Sequence, residues 1–246
     1  MRIRDVALFI RRTVAALLCA AAVASCLPTR PLLSQQAPAA EFAGLARYRA
    51  ANAALAPVQP GEQRVVFFGN SITEGWAPRF ATLFPGRPYI GRGISGQTTA
   101  QMLLRFRQDV VALKPAAVVI LAGTNDIAGN TGPATLEEIQ DNLAAMTELA
   151  QANGIVVLLS SILPVYDYPW KPDLQPTPKI IAVNRWLRDY AAERGATFVD
   201  YHSAMADERQ GLSKALAADG VHPTDAGYRM MAGIVEPLIR RALGGQ

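Results

Sequence analysis

Short apolar segments alternate with longer amphipathic segments along most of this chain. Five short segments are almost continuously apolar, which is typical of strands buried on both faces; they are residues 64–68, 88–90, 116–121, 155–159 and 197–199. Apolar side chains recur at three- and four-residue spacing in four longer segments, which predicts helices; these are residues 101–113, 136–153, 179–194 and 224–243. The alternation predicts one α/β domain with a parallel sheet covered on both faces.

A further helix is predicted before the first strand. Residues 41–55 have a helix-forming composition, and Pro57, Pro60 and Gly61 follow them. Proline and glycine end helices. We therefore expect one helix on the outside of the domain, followed directly by the sheet.

The first 25 residues have the layout of a secretory signal. Arginines precede an apolar run at residues 13–24, and small residues follow it. A transmembrane helix needs ~20 apolar residues, so a cleaved leader is favoured over a permanent span. Residues 22–24 suit ordinary signal peptidase, but residues 23–26 resemble a bacterial lipobox, in which Cys26 would be lipidated. We favour the lipobox, followed by a flexible tether at residues 26–40, rich in Pro, Ala, Ser and Gln, and a domain at residues 41–246.

Removal of the leader changes the charge and the cysteine count. The chain has 24 basic and 20 acidic residues; the leader holds four and one of these, which leaves 20 and 19 and a net charge of +1 instead of +4. No remaining basic cluster suits a nucleic-acid partner. Cys19 leaves with the leader, so Cys26 has no disulfide partner. We expect an exported protein of the cell envelope, associated with a membrane through a lipid anchor or secreted.

Four polar motifs lie at positions where the predicted sheet would bring them together. They are Gly69–Ser71, Ile94–Thr98, Gly123–Asp126 and Asp219–His222. The first three follow predicted strands, and the fourth precedes the last helix. Because sites in parallel sheets form beyond the carboxyl ends of strands, we expect one shared site.

The first and last motifs suit nucleophilic catalysis. A serine hydroxyl needs a base that accepts its proton and a group that holds the base. Ser71 can project from the end of a strand, and Asp219 lies three residues before His222, one of two histidines in the chain. His202 follows the fifth strand with Asp200 nearby and remains an alternative base. The turn that carries His222 just before a helix favours His222.

The two central motifs can supply an oxyanion hole. Acyl transfer needs donors aimed at the oxygen that becomes negative in the tetrahedral intermediate. Gly96 can offer a backbone N–H without a Cβ in the way, Asn125 a side-chain amide, and Ser71 its own N–H. These three groups are the predicted donors.

Together the motifs resemble the SGNH, or GDSL-type, hydrolase family, named for its catalytic Ser, Gly, Asn and His. The resemblance covers roughly residues 65–243 and matches four residues to those names: Ser71, Gly96, Asn125 and His222. Asp219 takes the place of the acid of the triad. Asn70 stands where the family usually has Asp, a position that is not one of the catalytic groups.

This resemblance implies a fold and an activity. The fold is three-layered, α/β/α, with a five-stranded parallel sheet of flavodoxin-like form. The activity is hydrolysis of carboxylic esters by a serine esterase through an acyl-enzyme, and the implied site is a Ser-Asp-His triad.

No cofactor or metal is expected. Residues 91–96 match the dinucleotide motif G-x-G-x-x-G, but they follow the second strand, and no acidic residue lies about 20 positions further on to hold a ribose. Two scattered histidines and Cys26 form no set of metal ligands.

The substrate is predicted to be a small-molecule or glycan ester. After the fourth strand, Tyr168 and Trp170 place aromatic rings in the loop at residues 163–178, and Trp76 and Arg92 are further candidates for the pocket rim. No long apolar lid segment is present, which favours short acyl groups such as acetyl. The alternatives are a lysophospholipase or thioesterase, and a non-catalytic envelope lipoprotein that binds glycan or lipid.

Overall fold

The computed structural model describes residues 39–244. Within them, five strands form one sheet in the order β2-β1-β3-β4-β5, and every pair is parallel. The strands are β1 (Val65–Gly69), β2 (Tyr89–Gly93), β3 (Ala117–Leu121), β4 (Val156–Ser160) and β5 (Thr197–Val199). The predicted α/β fold with a five-stranded parallel sheet and helices on both faces is confirmed.

Ten α-helices accompany the sheet in this part of the chain. They are α1 (Ala39–Ala43), α2 (Arg49–Ala53), α3 (Ser71–Trp76), α4 (Phe80–Leu83), α5 (Thr99–Asp109), α6 (Thr124–Ile127), α7 (Leu136–Gln151), α8 (Thr177–Glu193), α9 (Tyr201–Met205) and α10 (Asp225–Ala242). Short 3-10 turns follow α3 and α5, at Ala77–Arg79 and Val111–Leu113. The four long helices lie within two residues of their predicted starts and ends, except that α5 ends four residues earlier and continues as the 3-10 turn.

Alternate residues of each central strand face opposite layers, as the pleat of a strand requires. Val66 and Phe68 of β1 pack with buried side chains of α5, α7 and α8, whereas Val65 and Phe67 pack with those of α3, α4 and α10. All five residues of β1 and all five of β3 are buried. This burial on both faces explains why their sequences are continuously apolar.

The second strand is longer than predicted. Its last three residues, Gly91 to Gly93, pair with Phe67 to Gly69 of β1. A Cβ on Gly91 would lie 2.3 Å from the Cβ of Ala77, and one on Gly93 would lie 2.2 Å from the backbone nitrogen of Glu74. These glycines therefore let β2 approach the helix after Ser71 closely, which gives the dinucleotide-like motif a packing role.

The helix predicted at residues 41–55 is divided into α1 and α2. Gly44 has φ +65°, a left-handed conformation that ends a helix at low cost only for glycine. Both short helices pack against α5.

No helix among residues 39–244 is long and apolar enough to span a bilayer. The predicted leader, Cys26 and nearly all of the predicted tether lie outside the described residues, so these domain boundaries stay predictions.

Candidate active site

A sharp turn at the end of β1 brings Ser71 to the first position of α3. A Cβ on Gly69 would lie 2.1 Å from Thr73 Oγ1 and 2.8 Å from the carbonyl oxygen of Leu121, so the turn requires glycine. The side chain of Asn70 caps α3 by accepting a hydrogen bond from the N–H of Ile72 at 3.3 Å. The Ser71 hydroxyl is thereby presented at the carboxyl edge of the sheet.

A chain of hydrogen bonds joins Ser71, His222 and Asp219. The distance from Ser71 Oγ to His222 Nε2 is 3.0 Å, and the distance from His222 Nδ1 to Asp219 Oδ2 is 2.7 Å. The other carboxylate oxygen, Asp219 Oδ1, accepts the backbone N–H groups of Val221 and His222 at 2.9 and 2.7 Å. The carboxylate thus holds both the imidazole and the turn that carries it.

These contacts keep Asp219 ionised. Partial burial favours the neutral carboxyl, but the hydrogen bonds from the His222 ring, the His222 N–H and the Val221 N–H outweigh it. The pKa of Asp219 is therefore below its ordinary value. An ionised carboxylate can hold a proton on His222 Nδ1, which leaves Nε2 free to accept one from Ser71.

His202 lies elsewhere, in α9 after β5. Its backbone N–H donates to Ser161 Oγ at 2.9 Å, and its Nε2 has no hydrogen-bond partner among the described residues. Burial lowers the pKa of His202, although the charge of Asp200 opposes the shift. Of the two histidines, His222 is the one that contacts Ser71.

The predicted oxyanion donors come from three neighbouring segments. Asn125 is buried and gives one amide hydrogen to the carbonyl oxygen of Gln97 at 2.9 Å, so its second amide hydrogen remains available. Gly96 is exposed and has φ +78°. Within residues 39–244, neither the Gly96 N–H nor the Ser71 N–H has a hydrogen-bond acceptor. Such free donors are what an oxyanion hole needs.

Hydrogen bonds connect all four motifs directly. The N–H of Ile94 donates to the carbonyl of Gly69 at 3.2 Å, which joins the second motif to the first. The bond from Asn125 to Gln97 joins the third to the second, and the bond between His222 and Ser71 joins the fourth to the first. These bonds bring the four motifs together beside Ser71.

Asp126 helps to hold this arrangement. It is buried and accepts the N–H of Thr99 through both carboxylate oxygens, at 2.9 and 3.0 Å, and the Thr99 hydroxyl at 2.5 Å. Burial raises the pKa of Asp126, and the Thr99 hydrogen bonds oppose the rise. Asp126 thus caps the start of α5, directly after the loop that carries Gly96.

Two residues that the motifs did not reveal anchor that loop. Glu74, one turn beyond Ser71, accepts the Ser95 N–H at 2.9 Å and the Ser95 hydroxyl, and its other oxygen accepts Arg47 at 2.9 Å. Burial favours the neutral form of Glu74, but the hydrogen bonds from Ser95 and Arg47 outweigh it and lower its pKa. No known motif marks Glu74, because its role depends on a loop 21 residues away.

Of the two aromatic residues predicted after β4, one is exposed beside the site. The Trp170 side chain is 46% exposed, and its ring centroid lies 6.0 Å from that of His222. Tyr168 is fully buried behind it, with ring centroids 5.2 Å apart, and its hydroxyl donates to the carbonyl of Thr124 at 2.9 Å. Tyr168 therefore supports Trp170 and does not itself face solvent, contrary to its prediction as a substrate contact.

The prediction that Trp76 and Arg92 line the pocket rim is wrong. Trp76 is 1% exposed and stacks on Tyr228 in the core, with ring centroids 5.9 Å apart. Arg92 is 6% exposed, and its Nε donates to Asn52 Oδ1 at 2.8 Å. Trp76 is therefore part of the apolar core, and Arg92 links β2 to α2.

A cavity of about 310 Å³ adjoins Asp219. Tyr166 and Arg209 line it, and the guanidinium of Arg209 lies 3.9 Å from the centroid of the Tyr166 ring. Tyr166 is 54% exposed, so an exposed aromatic ring also lines this cavity. Among residues 39–244, no group of three or more His, Cys, Asp or Glu side chains could hold a metal ion.

Comparison with known proteins gives a consistent family match. The model of a family described as GDSL-like lipase/acylhydrolase matches residues 67–230. The crystal structure of a GDSL-like lipase from Bacteroides thetaiotaomicron superposes with a TM-score of 0.79 at 46% identity, and the match covers 82% of this chain and 99% of that one.

Curated relatives include enzymes with named activities. The esterase TesA of Pseudomonas aeruginosa is 30% identical over 198 residues, which is 75% of this chain and 92% of the esterase. An acetylxylan esterase of Geobacillus stearothermophilus is 28% identical over 150 residues, which is 58% of this chain and 68% of that enzyme.

Proposed function

Because the chain belongs to the GDSL-like lipase/acylhydrolase family, whose members are esterases and acylhydrolases, we propose that it hydrolyses carboxylic esters with Ser71 as nucleophile. In this proposal His222 is the general base and acid, and Asp219 orients it. The observation that carries the assignment is the continuous path from Ser71 Oγ through His222 to Asp219, with distances of 3.0 and 2.7 Å.

The reaction follows from these contacts in two stages. Ser71 Oγ attacks the ester carbonyl while its proton passes to His222 Nε2, and the carbonyl oxygen becomes negative against the N–H donors of Gly96, Asn125 and Ser71. The bond to the alcohol then breaks, and His222 returns the proton to the departing oxygen. Water attacks the resulting acyl-enzyme in the same way, which releases the acid and restores Ser71.

The exposure of the site supports a short acyl group on a bulky alcohol. The side chains of His222 and Asp219 are 40% and 42% exposed, so the proton path lies at the surface and not in a tunnel. An open site can accept a large leaving group, such as a sugar, on the side of Trp170. The similarity to an acetylxylan esterase supports the same choice.

A series of p-nitrophenyl esters from acetate to palmitate tests this function on the full chain. We expect kcat/KM to fall as the acyl chain lengthens, because a surface site offers a long chain little apolar contact. A maximum at long chains would instead favour a lysophospholipase or thioesterase. If no ester is turned over in a Ser71-dependent manner, the non-catalytic binding protein becomes the better proposal.

We expect Trp170→Ala to raise KM for an acetylated xylo-oligosaccharide about threefold to tenfold while kcat changes less. An exposed aromatic ring contributes by stacking, and stacked pairs contribute about 0.5–1.5 kcal/mol. Trp170→Phe is the matched control, since it keeps an aromatic face and should recover most of the affinity. Steady-state kinetics of all three proteins check this. Equal KM values for the wild type and Trp170→Ala would remove Trp170 from the substrate site.

We further propose that the protein is exported and held at a membrane by a lipid on Cys26. The lipobox-like residues 23–26 and the tether composition support this proposal. Labelling of the wild type by radioactive palmitate, and its loss in Cys26→Ser, tests it. Labelling of neither chain would favour ordinary signal cleavage.

A further inference from the structure

Residues 42–52, here called the N-terminal strap, lie across the loop that carries Gly96. The strap precedes the region that the family model matches, residues 67–230. The hydroxyl of Tyr48 donates to the carbonyl of Gly93, and Gln97 Nε2 donates to the carbonyl of Ala43 at 2.8 Å. A Cβ on Gly44 would lie 3.2 Å from both Ile94 and Gln97. The strap therefore contacts the loop on both sides of Gly96.

An ion pair extends this contact to Ser95, the residue before Gly96. Arg47 bonds one oxygen of Glu74 at 2.9 Å, and the other oxygen of Glu74 accepts the Ser95 N–H and hydroxyl. Ser95 directly precedes Gly96. Glu74 also lies on α3, one turn from Ser71. Arg47 thus holds the carboxylate that couples the nucleophile helix to the predicted oxyanion donor.

The strap also completes a buried polar network. Asn52 Nδ2 donates to Asp109 Oδ1 at 2.7 Å, and Asp109 Oδ2 accepts Arg105 at 3.1 Å. Arg105 in turn donates to Gln97 Oε1 at 2.6 Å and to the carbonyl of Gly69 at 2.8 Å. Arg105 and Asp109 are fully buried, so their polar groups need every partner. One network therefore reaches both the end of β1 and the loop.

We propose that the N-terminal strap is a positioning element for the oxyanion hole, with Arg47 and Tyr48 as its positioning residues. The inference rests on the proposed function. A donor acts only where it meets the developing oxyanion, and an error of about 1 Å can cost on the order of 100-fold in rate. The strap fixes Gly93 and Ser95, the residues on either side of Ile94. The strap itself lies outside residues 67–230, which the family model matches.

The test is a double substitution in the full chain, Arg47→Met with Tyr48→Phe, assayed on p-nitrophenyl acetate. We expect kcat to fall about tenfold, KM to stay within twofold, and the pH profile of kcat to keep its midpoint, since the contacts of His222 and Asp219 are untouched. Affinity for an aryl trifluoromethyl ketone, which forms a tetrahedral adduct with serine, should fall in parallel with kcat. Asn125→Ala shows the effect of losing a predicted donor outright.

A matched pair elsewhere in the chain serves as control. Arg194 bonds Glu148 at 3.1 Å and lies 5.8 Å from the ring of Tyr190, much as Arg47 bonds Glu74 and lies 5.4 Å from the ring of Tyr48. Arg194→Met with Tyr190→Phe should therefore leave kcat unchanged. Thermal unfolding of both double variants separates lost stability from lost positioning.

Each outcome supports the positioning role or overturns it. If the strap variant keeps the kcat of the control variant, the positioning role is overturned. If the strap variant does not fold, Tyr48→Phe alone decides the question, because it removes one hydroxyl and keeps the ring. A kcat at least threefold below wild type supports the role, and any smaller loss rejects it. Ester hydrolysis by Ser71→Ala at the wild-type rate would instead refute the proposed function. The failure of the positioning role and the failure of the proposed function are therefore distinguishable.

Discussion

Replacing Ser71 by alanine is expected to lower kcat for ester hydrolysis by about 10⁴- to 10⁶-fold. The Ser71 hydroxyl is the group that His222 Nε2 contacts, at 3.0 Å, and alanine leaves no atom able to attack the carbonyl. A small residual rate should remain, because the oxyanion donors and the substrate contacts are still present. Turnover of p-nitrophenyl acetate by the full chain, compared between wild type and variant, measures the effect.

The control for Ser71→Ala is Ser203→Ala. Ser203 directly follows His202, the alternative base, and its hydroxyl bonds Asp200 at 2.9 Å. We expect Ser203→Ala to keep wild-type kcat, and a fluorophosphonate probe to label every chain except Ser71→Ala. Both alanine variants should unfold within a few degrees of wild type. Normal turnover by Ser71→Ala, together with loss of turnover in Ser203→Ala, would show that the active site lies at His202 and not at His222.

The sheet was predictable from local pattern because its strands are buried on both faces. In β1 and β3 every residue is buried, so the apolar runs there carry a strong signal. The end of β2 was missed for the opposite reason. Gly91 and Gly93 belong to the strand because they pair with β1. They have no side chains to give an apolar pattern, since Ala77 and the backbone at Glu74 approach too closely for a Cβ.

The divided N-terminal helix shows a second limit of local pattern. Composition favours one helix across residues 41–55, and a single glycine within it is a weak signal. Gly44 ends α1 because the chain must turn there to lay the strap along Ile94 and Gln97. That requirement comes from residues about 50 positions away, which no local pattern contains.

The motif residues of the site were easier to predict than its surroundings. A parallel sheet brings motifs at the carboxyl ends of its strands to one edge. Contact between Ser71 and a base such as His222 could therefore be expected from the sequence. Aromatic side chains near a site carry no such information, because the same residue types fill cores and line pockets. Trp76 and Tyr168 are 1% and 0% exposed, and Trp170 is 46% exposed. Only the packing of the whole domain distinguishes these positions.

Replacing Asp219 by asparagine is expected to lower kcat by about 10³- to 10⁴-fold. The two oxygens of Asp219 accept three N–H groups: Oδ1 accepts the backbone N–H groups of Val221 and His222, and Oδ2 accepts His222 Nδ1. An asparagine side chain has one acceptor oxygen, so it can accept from the imidazole or from the two backbone N–H groups, but not from both. Its amide NH₂ must therefore point either at the imidazole or at the two backbone donors.

Either orientation of the amide in Asp219→Asn damages the proton path. If the NH₂ faces His222, it donates to Nδ1, so the ring proton moves to Nε2, which then donates to Ser71 instead of accepting from it. If the NH₂ faces the backbone, three donors meet without an acceptor, and the turn that carries His222 is displaced. We expect the first arrangement, because it keeps both backbone bonds. The variant should then retain wild-type KM and lose only kcat.

The matched comparison is Asp219→Ala. This variant lacks the carboxylate, as Asp219→Asn does, but it also lacks the amide NH₂ that would donate to His222 Nδ1. The His222 side chain is 40% exposed, so water can accept from Nδ1 in that variant and support the productive tautomer. We therefore expect Asp219→Ala to retain at least as much activity as Asp219→Asn at neutral pH. A much lower kcat for the alanine variant would contradict the tautomer argument and point to a purely positional role for the carboxylate.

The dependence of stability on pH gives an independent test of the same carboxylate. The pKa of Asp219 in the folded chain is below its ordinary value of 3.8, so its contribution to stability is present above that value and is lost as the pH falls through the folded-state pKa. The difference in Tm between wild type and Asp219→Asn should therefore be constant near neutral pH. It should shrink toward zero as the pH falls below 3.8 and through the folded-state pKa of Asp219. A difference in Tm that persists below the folded-state pKa would show that the substitution acts through packing of the turn, and the loss of kcat could then no longer be attributed to the charge that orients His222.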